Sequence, residues 1–189
     1  MDRRSEILQT AGQLFRESGY HATSMRDIAS KLELRGSSLY THISSKEELL
    51  WEIVNHAADT FMAQAQACIS IDDPLARLDA LLRGHLEVIM QELPRATVFF
   101  HDWKFLSADL RSQIVARRDA YEAYFRQAIR DGVAAGCLHV DDSELATLFV
   151  LSSLNWSYQW LQSEGRLPFD TLSQRYSHFI LRGLGGSPV

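Results

Sequence analysis

The stretch from Arg35 to His42 reads Arg-Gly-Ser-Ser-Leu-Tyr-Thr-His, residue types that suit the surface of a nucleic-acid duplex. On a short helix Leu39 turns inward as an anchor, and the small or polar residues around it stay outside. Ser37 and Ser38 are short donors and acceptors for base edges, and Arg35 reaches a guanine or a phosphate. Tyr40 and His42 donate to phosphates, a contact that positions a protein without reading sequence. Lys46 stands where the next helix begins, so a cation and a helix N-terminus meet one phosphate together. Gly36 and Thr41 complete this outward surface. The plainer alternatives are that Tyr40 is a half-buried packing residue and that Arg35, like Arg26 upstream, is a solvated charge.

A second group of residues has the chemistry of a small-molecule pocket. Phe99, Phe100 and Trp103 crowd one segment, Arg118, Tyr121, Tyr124 and Phe125 recur on or near one helical face, and Asn155 and Trp156 are adjacent. Apolar walls with a few polar groups hold ligands, although an aromatic stripe at helical spacing describes a core equally well. The sequence has no Gly-x-Ser-x-Gly elbow, no Gly-rich phosphate loop and no His-Glu-x-x-His. His85, His101, His139 and His178 are dispersed, and Cys68 and Cys137 lack metal-site spacing, so neither a metal nor a cofactor is expected.

Helices must position these groups. Ile7, Leu8, Ala11, Leu14 and Phe15 form one stripe, and Gly19 follows as a stop. Thr23 or Ser24 caps a second helix whose inward face is Ile28, Ala29 and Leu32. A third short helix is expected from about Gly36 to His42. Ser45 caps a fourth, about Lys46 to Ala67, with Glu47 and Glu48 in its first turn. Three short helices with a tight turn before the third make a helix-turn-helix. Its second helix crosses the DNA backbone, which makes Thr23, Ser24 and Arg26 candidate contacts, and its third enters the major groove. Further helices are expected at 72–91, within 95–106, at 107–135, from Asp141 to Gln162 and from Pro168 to Leu184. The fold class is therefore all-α with about nine helices: a helix-turn-helix headpiece over 1–46 and a helical-bundle body for ligand binding and dimerisation over 47–189.

The chain has 189 residues and a formal net charge of −5. Residues 1–50 carry seven Lys/Arg and seven Asp/Glu, so the acidic excess lies wholly in the remainder. A neutral headpiece still binds DNA when its cations share one face. An apolar fraction of 46% fits a globular protein. No uninterrupted apolar run reaches the roughly 18 residues of a membrane span, and no apolar stretch follows Arg3 and Arg4 as in a secretory signal. Two widely separated cysteines suit a reduced, cytoplasmic protein.

The segment Thr23-Ser24-Met25-Arg26-Asp27-Ile28-Ala29, followed by Ser38-Leu39-Tyr40-Thr41-His42-Ile43-Ser44-Ser45-Lys46-Glu47-Glu48-Leu49, resembles the headpiece of the TetR family of regulators over about residues 5–55. The resemblance implies a nine-helix fold, a homodimer formed through the last two helices, a body that senses a ligand, and repression from a double-stranded DNA operator. Three positions depart from the family pattern. Glu33 stands in place of the turn glycine, a substitution strained by about 1 kcal/mol where φ is positive. Gly36 replaces the polar or basic residue common at the start of the third helix, and Ile43 replaces a Phe.

The segment from Leu145 to Leu161 is apolar nearly all round and must bury both sides. Leu172, Tyr176, Phe179, Ile180 and Gly183 give the last helix a matching face. Two such helices from each chain make a four-helix interface, with Leu148, Leu151, Trp160, Tyr176, Phe179 and Ile180 in it; the alternative is a central helix in a monomer. Phe99-Phe100-His101-Asp102, then Arg118, Tyr121, Phe125 and Arg126, then Asn155-Trp156 and Gly165-Arg166-Leu167, resemble the branch of the family that responds to acyl-CoA thioesters. That resemblance implies a pocket for an acyl chain, with Arg111, Arg117, Arg118 and Arg166 as candidates for the CoA phosphates. The expected function is a repressor that binds a palindromic operator as a dimer and is released by a small hydrophobic ligand. The alternatives are a helical protein-interaction module or a small helical enzyme that does not bind DNA.

Overall fold

The computed structural model describes residues 2–162 and 165–186. Among them are nine α-helices and no strand: α1 (Arg3–Ser18), α2 (Met25–Lys31), α3 (Gly36–Tyr40), α4 (Lys46–Ala67), α5 (Pro74–Gln91), α6 (Leu93–His101), α7 (Ala108–Ala134), α8 (Ser143–Asn155) and α9 (Phe169–Gly183). Two 3₁₀ turns, Trp103–Phe105 and Trp156–Gln159, precede α7 and follow α8. None of the helices described is long and apolar enough to cross a membrane.

Local chemistry sets most of the boundaries. Asp2 caps α1 by accepting from the Ser5 N–H at 2.7 Å. Gly19 ends the helix at φ 87°, where a side chain would be strained, and its N–H donates to the Phe15 carbonyl at 2.8 Å. Ser45 Oγ accepts from the Glu48 N–H at 3.0 Å and starts α4. Pro94 sits in the first turn of α6, where its missing N–H has no helical partner to lose.

Two expected helices are shorter than the sequence suggests. The third stops at Tyr40, not His42, because Ile43 is drawn into the core at 1% exposure and turns the chain toward α4. The eighth spans Ser143–Asn155, not Asp141 to Gln162. Asp142 takes its N-cap, accepting from the N–H groups of Glu144 (2.9 Å) and Leu145 (3.0 Å). Beyond Asn155 the chain tightens into the second 3₁₀ turn, which keeps Ser157 and Leu161 buried.

The chain forms two compact units, Met1–Asp59 with Glu92–Ala116, and Thr60–Gln91 with Arg117–Val189. Helices α4 and α7 each supply residues to both. In the first unit α1 packs on α6 and α2, and α2 on α3. Its buried side chains include Ile7, Phe15, Ile28, Leu39, Leu49, Leu50 and Ile53. In the second unit α5 packs on α9 and α8, around Leu78, Leu81, Leu82, Phe125, Ile129, Val150, Leu154 and Leu181.

Candidate nucleic-acid interface and ligand cleft

Helices α2 and α3 and the residues that flank them present most of the residues expected to meet DNA. Ser24 is the N-cap of α2 in a reciprocal capping box. Its Oγ accepts from the Asp27 N–H at 3.2 Å, while Asp27 Oδ2 accepts from the Ser24 N–H (2.7 Å) and hydroxyl (2.6 Å). These bonds hold the Asp27 carboxyl below its usual pKa. The turn into α3 is closed by Glu33 N–H to the Ser30 carbonyl (3.1 Å) and Leu34 N–H to the Ala29 carbonyl (2.8 Å). Glu33 itself adopts φ 55°, the left-handed conformation that the departure from glycine raised.

With Leu39 fully buried, α3 turns Gly36, Ser37, Tyr40 and the following Thr41 and His42 outward. Tyr40 is 56% exposed, an open position for so large an aromatic ring. Arg26, Gly36 and Tyr40 line one groove together with Met25, Ala29, Ser30 and Leu34. Arg35 is exposed, Ser38 is half-buried, and Thr41 Oγ1 donates to the Ser38 carbonyl at 2.7 Å. From Leu34 to Lys46 the chain carries no acidic residue.

Two of the expected contacts are occupied within the chain. Thr23 is buried at 3% exposure, and its hydroxyl lies within reach of the carbonyls of Gly19 (3.0 Å) and Leu14 (3.3 Å). Lys46, the first residue of α4, places its ammonium 4.2 Å from the centre of the Tyr20 ring. Burial holds its pKa below the ordinary lysine value.

The second unit contains a cleft of about 500 Å³. Its walls are Ala65, Cys68 and Ile69 at the end of α4, Arg77 and Leu81 of α5, and Ala120, Ala123, Tyr124, Gln127 and Ala128 of α7. Arg77 Nη2 donates to Asp131 Oδ2 at 2.7 Å, and Gln127 Nε2 to Asp131 Oδ1 at 2.7 Å. Apolar walls with a few polar groups are the composition of a small-molecule site. Of the residues expected in a pocket, Tyr124 lies on this wall. Tyr121 and Phe125 instead pack around His85, whose Nδ1 is 3.0 Å from the Tyr121 hydroxyl. Burial pushes the Tyr121 phenol well above its usual pKa and holds the Arg118 guanidinium below its own. Phe99, Phe100 and Trp103 belong to the other unit. Asn155 ends α8, half-buried.

Sequence reasoning missed most of the cleft wall. A signal was there: Ala120, Ala123, Tyr124, Gln127 and Ala128 recur at helical spacing on one face of α7. Alanines, however, read as helix formers rather than as the wall of a cavity. Among the described residues no cluster of His, Cys, Asp and Glu could hold a metal ion.

A third surface is apolar and open. Leu145, Leu148, Phe149 and Trp156 are 64%, 52%, 59% and 63% exposed, and Phe179 of α9 is 74% exposed. Trp160 packs on Tyr176, with ring centroids 5.6 Å apart, and the Tyr176 hydroxyl donates to the Ser153 carbonyl at 2.9 Å. Of the expected interface residues, Leu148, Trp160 and Phe179 lie open, while Leu151 and Ile180 are buried within the chain itself. Trp156, expected in the pocket, stands on the open face.

Comparison with known proteins agrees in both parts of the chain. Residues 7–53 match the family described as bacterial regulatory proteins, tetR family, and residues 72–184 match the tetracyclin repressor-like C-terminal domain. A TetR-family regulator, PfmR from Thermus thermophilus, is 35% identical with a TM-score of 0.87, over 97% of this chain and 99% of that one. The structure of the ketosteroid transcriptional regulator KstR2 of Mycobacterium tuberculosis superposes with a TM-score of 0.92 at 28% identity, over 97% of this chain and 95% of that one. AibR, crystallised with isovaleryl coenzyme A and operator DNA, is 27% identical with a TM-score of 0.85, over 94% of this chain and 97% of that one.

Proposed function

Because the chain belongs to the TetR family of bacterial regulatory proteins, we propose that it is a ligand-responsive transcriptional repressor acting in the cytoplasm. It binds a palindromic operator as a homodimer and leaves it when a small hydrophobic effector enters the body. Residues 1–46 bind DNA, and residues 47–189 bind the effector and the second subunit; no catalytic role is proposed.

The observation that carries the reading is the outer surface of α3. Gly36, Ser37, Tyr40, Thr41 and His42 stand exposed in a stretch without acidic residues, flanked by the cations Arg35 and Lys46. Small polar groups toward base edges and an aromatic hydroxyl toward phosphate are what a major-groove helix requires. The exposed apolar side chains of α8 and α9 are the proposed subunit interface, since so many large apolar groups left open call for a partner. The cleft walled by α4, α5 and α7 is the proposed effector site. An acyl-CoA thioester is the proposed class, supported by the isovaleryl coenzyme A bound to AibR. Effector and operator then favour different arrangements, and each weakens the other by the same factor.

To test this, the tightest duplex is selected from a randomised library by the full-length protein, and its affinity is measured with and without acyl-CoAs of increasing chain length. The expected result is a preferred inverted repeat whose affinity falls with at least one thioester. Binding that no thioester changes would remove the effector class. No preference for any duplex would remove the repressor.

A further inference from the structure

We infer that Arg4 is a positioning residue for DNA recognition: it clamps the segment that follows α3 to the start of α4 and does not itself meet a phosphate. The inference rests on the reading of α3 as the DNA-facing helix. An arginine near the start of such a headpiece ordinarily suggests a phosphate contact. Here its donors face the other way. Arg4 Nε donates to Glu52 Oε2 at 3.1 Å. Nη2 donates to Glu48 Oε1 at 2.7 Å and also to Glu52 Oε1. Nη1 donates to the carbonyl of His42. A guanidinium has five N–H groups, and these bonds direct four of them into the protein.

Glu48 extends the clamp to the residues between the helices. Its Oε2 accepts from the Ser44 N–H at 2.7 Å and the Ser44 hydroxyl at 2.5 Å, and its own N–H donates to Ser45 Oγ at 3.0 Å. The bonds from Ser44, and then that from Arg4, hold the Glu48 carboxyl down to about 2, so it stays ionised at neutral pH. One side chain from α1 therefore ties the His42 carbonyl, two residues past α3, the Ser44–Ser45 link and the first turns of α4 together. His42 and Lys46, both expected at phosphates, flank that link. Without the clamp only a fraction of molecules holds them in register, and apparent affinity falls by that fraction.

The test compares wild-type protein with Arg4→Ala, Arg4→Lys and Glu52→Gln, all full length, on the duplex selected by the wild type. Operator affinity is measured across salt concentrations, and amide hydrogen exchange is followed over residues 41–46. Arg4→Ala is expected to weaken binding about tenfold per headpiece, leave the salt slope unchanged and speed exchange at Ser44. Arg4→Lys recovers only part of this, since an ammonium cannot span the His42 carbonyl and both carboxylates. Glu52→Gln moves the same readouts less and carries the test if Arg4→Ala loses its helical signal. A salt slope flattened by about 0.9 per headpiece would make Arg4 a phosphate contact and overturn the inference, as would unchanged affinity and exchange. If the wild type selects no duplex, the repressor reading fails while exchange still decides the clamp: unaltered protection at Ser44 overturns it.

Discussion

Acidification should weaken this protein through one histidine. His85 of α5 is 1% exposed, with Nδ1 3.0 Å from the Tyr121 hydroxyl and the Phe61 ring centroid 4.8 Å away. Burial holds its pKa down to about 3, against 6.5 for the free side chain. Between those values the unfolded chain takes up a proton that the folded chain refuses. Unfolding free energy therefore rises with pH across the window, and the contribution present above 6.5 is lost as pH falls toward 3. For one such site the loss between pH 7 and pH 5 is about 2 kcal/mol, and across the whole window about 5 kcal/mol. Urea unfolding followed by far-ultraviolet circular dichroism, at one protein concentration, measures it at both pH values. The comparison is with His85→Gln, which keeps a polar group toward Tyr121 and does not titrate, so every other titrating group cancels in the difference. The wild type should lose about 2 kcal/mol more than the variant. Equal losses would mean that His85 is not held neutral in the fold.

Three further outcomes are expected. Phe179→Glu should dissociate the proposed dimer, because burying an exposed Phe contributes about 2–3 kcal/mol in each copy; sedimentation showing wild-type self-association would place the interface elsewhere. Ser24→Ala should cost about 1 kcal/mol in unfolding free energy through the lost α2 cap, and an unmoved urea midpoint would refute that contribution. Ala123→Phe fills the cleft wall. With an acyl-CoA as the proposed effector, it should leave operator affinity intact while weakening thioester binding about tenfold or more by calorimetry, a shift of at least about 1.4 kcal/mol; an undisturbed titration would move the proposed effector site out of the cleft.

Much of the headpiece is legible in the sequence. The apolar stripe of α1, the stop at Gly19, the cap at Ser24, the anchor Leu39 and the cap at Ser45 are each local, decided by residues within one or two turns of one another. Even the left-handed backbone at Glu33 follows from its place in the turn between α2 and α3. The end of α3 was less legible, because the chain turns there to bury Ile43, and that demand comes from elsewhere in the fold. Arg4 illustrates the same limit: its partners lie 38 to 48 residues away, so no local pattern announces them.

In the body, the sequence by itself determined that helices form, where most of them begin, and that α8 is too apolar to face water on every side. It left open which side of each helix meets the rest of the chain. Tertiary structure decided that Leu151 and Ile180 go inward while Leu148, Trp156 and Phe179 stay outside. It also set Tyr121 and Phe125 around His85 and left Tyr124 and a row of alanines to wall a cleft. The reason is physical: caps and periodicity are interactions between near neighbours in the chain, whereas a cavity is space left where side chains distant in sequence fail to meet.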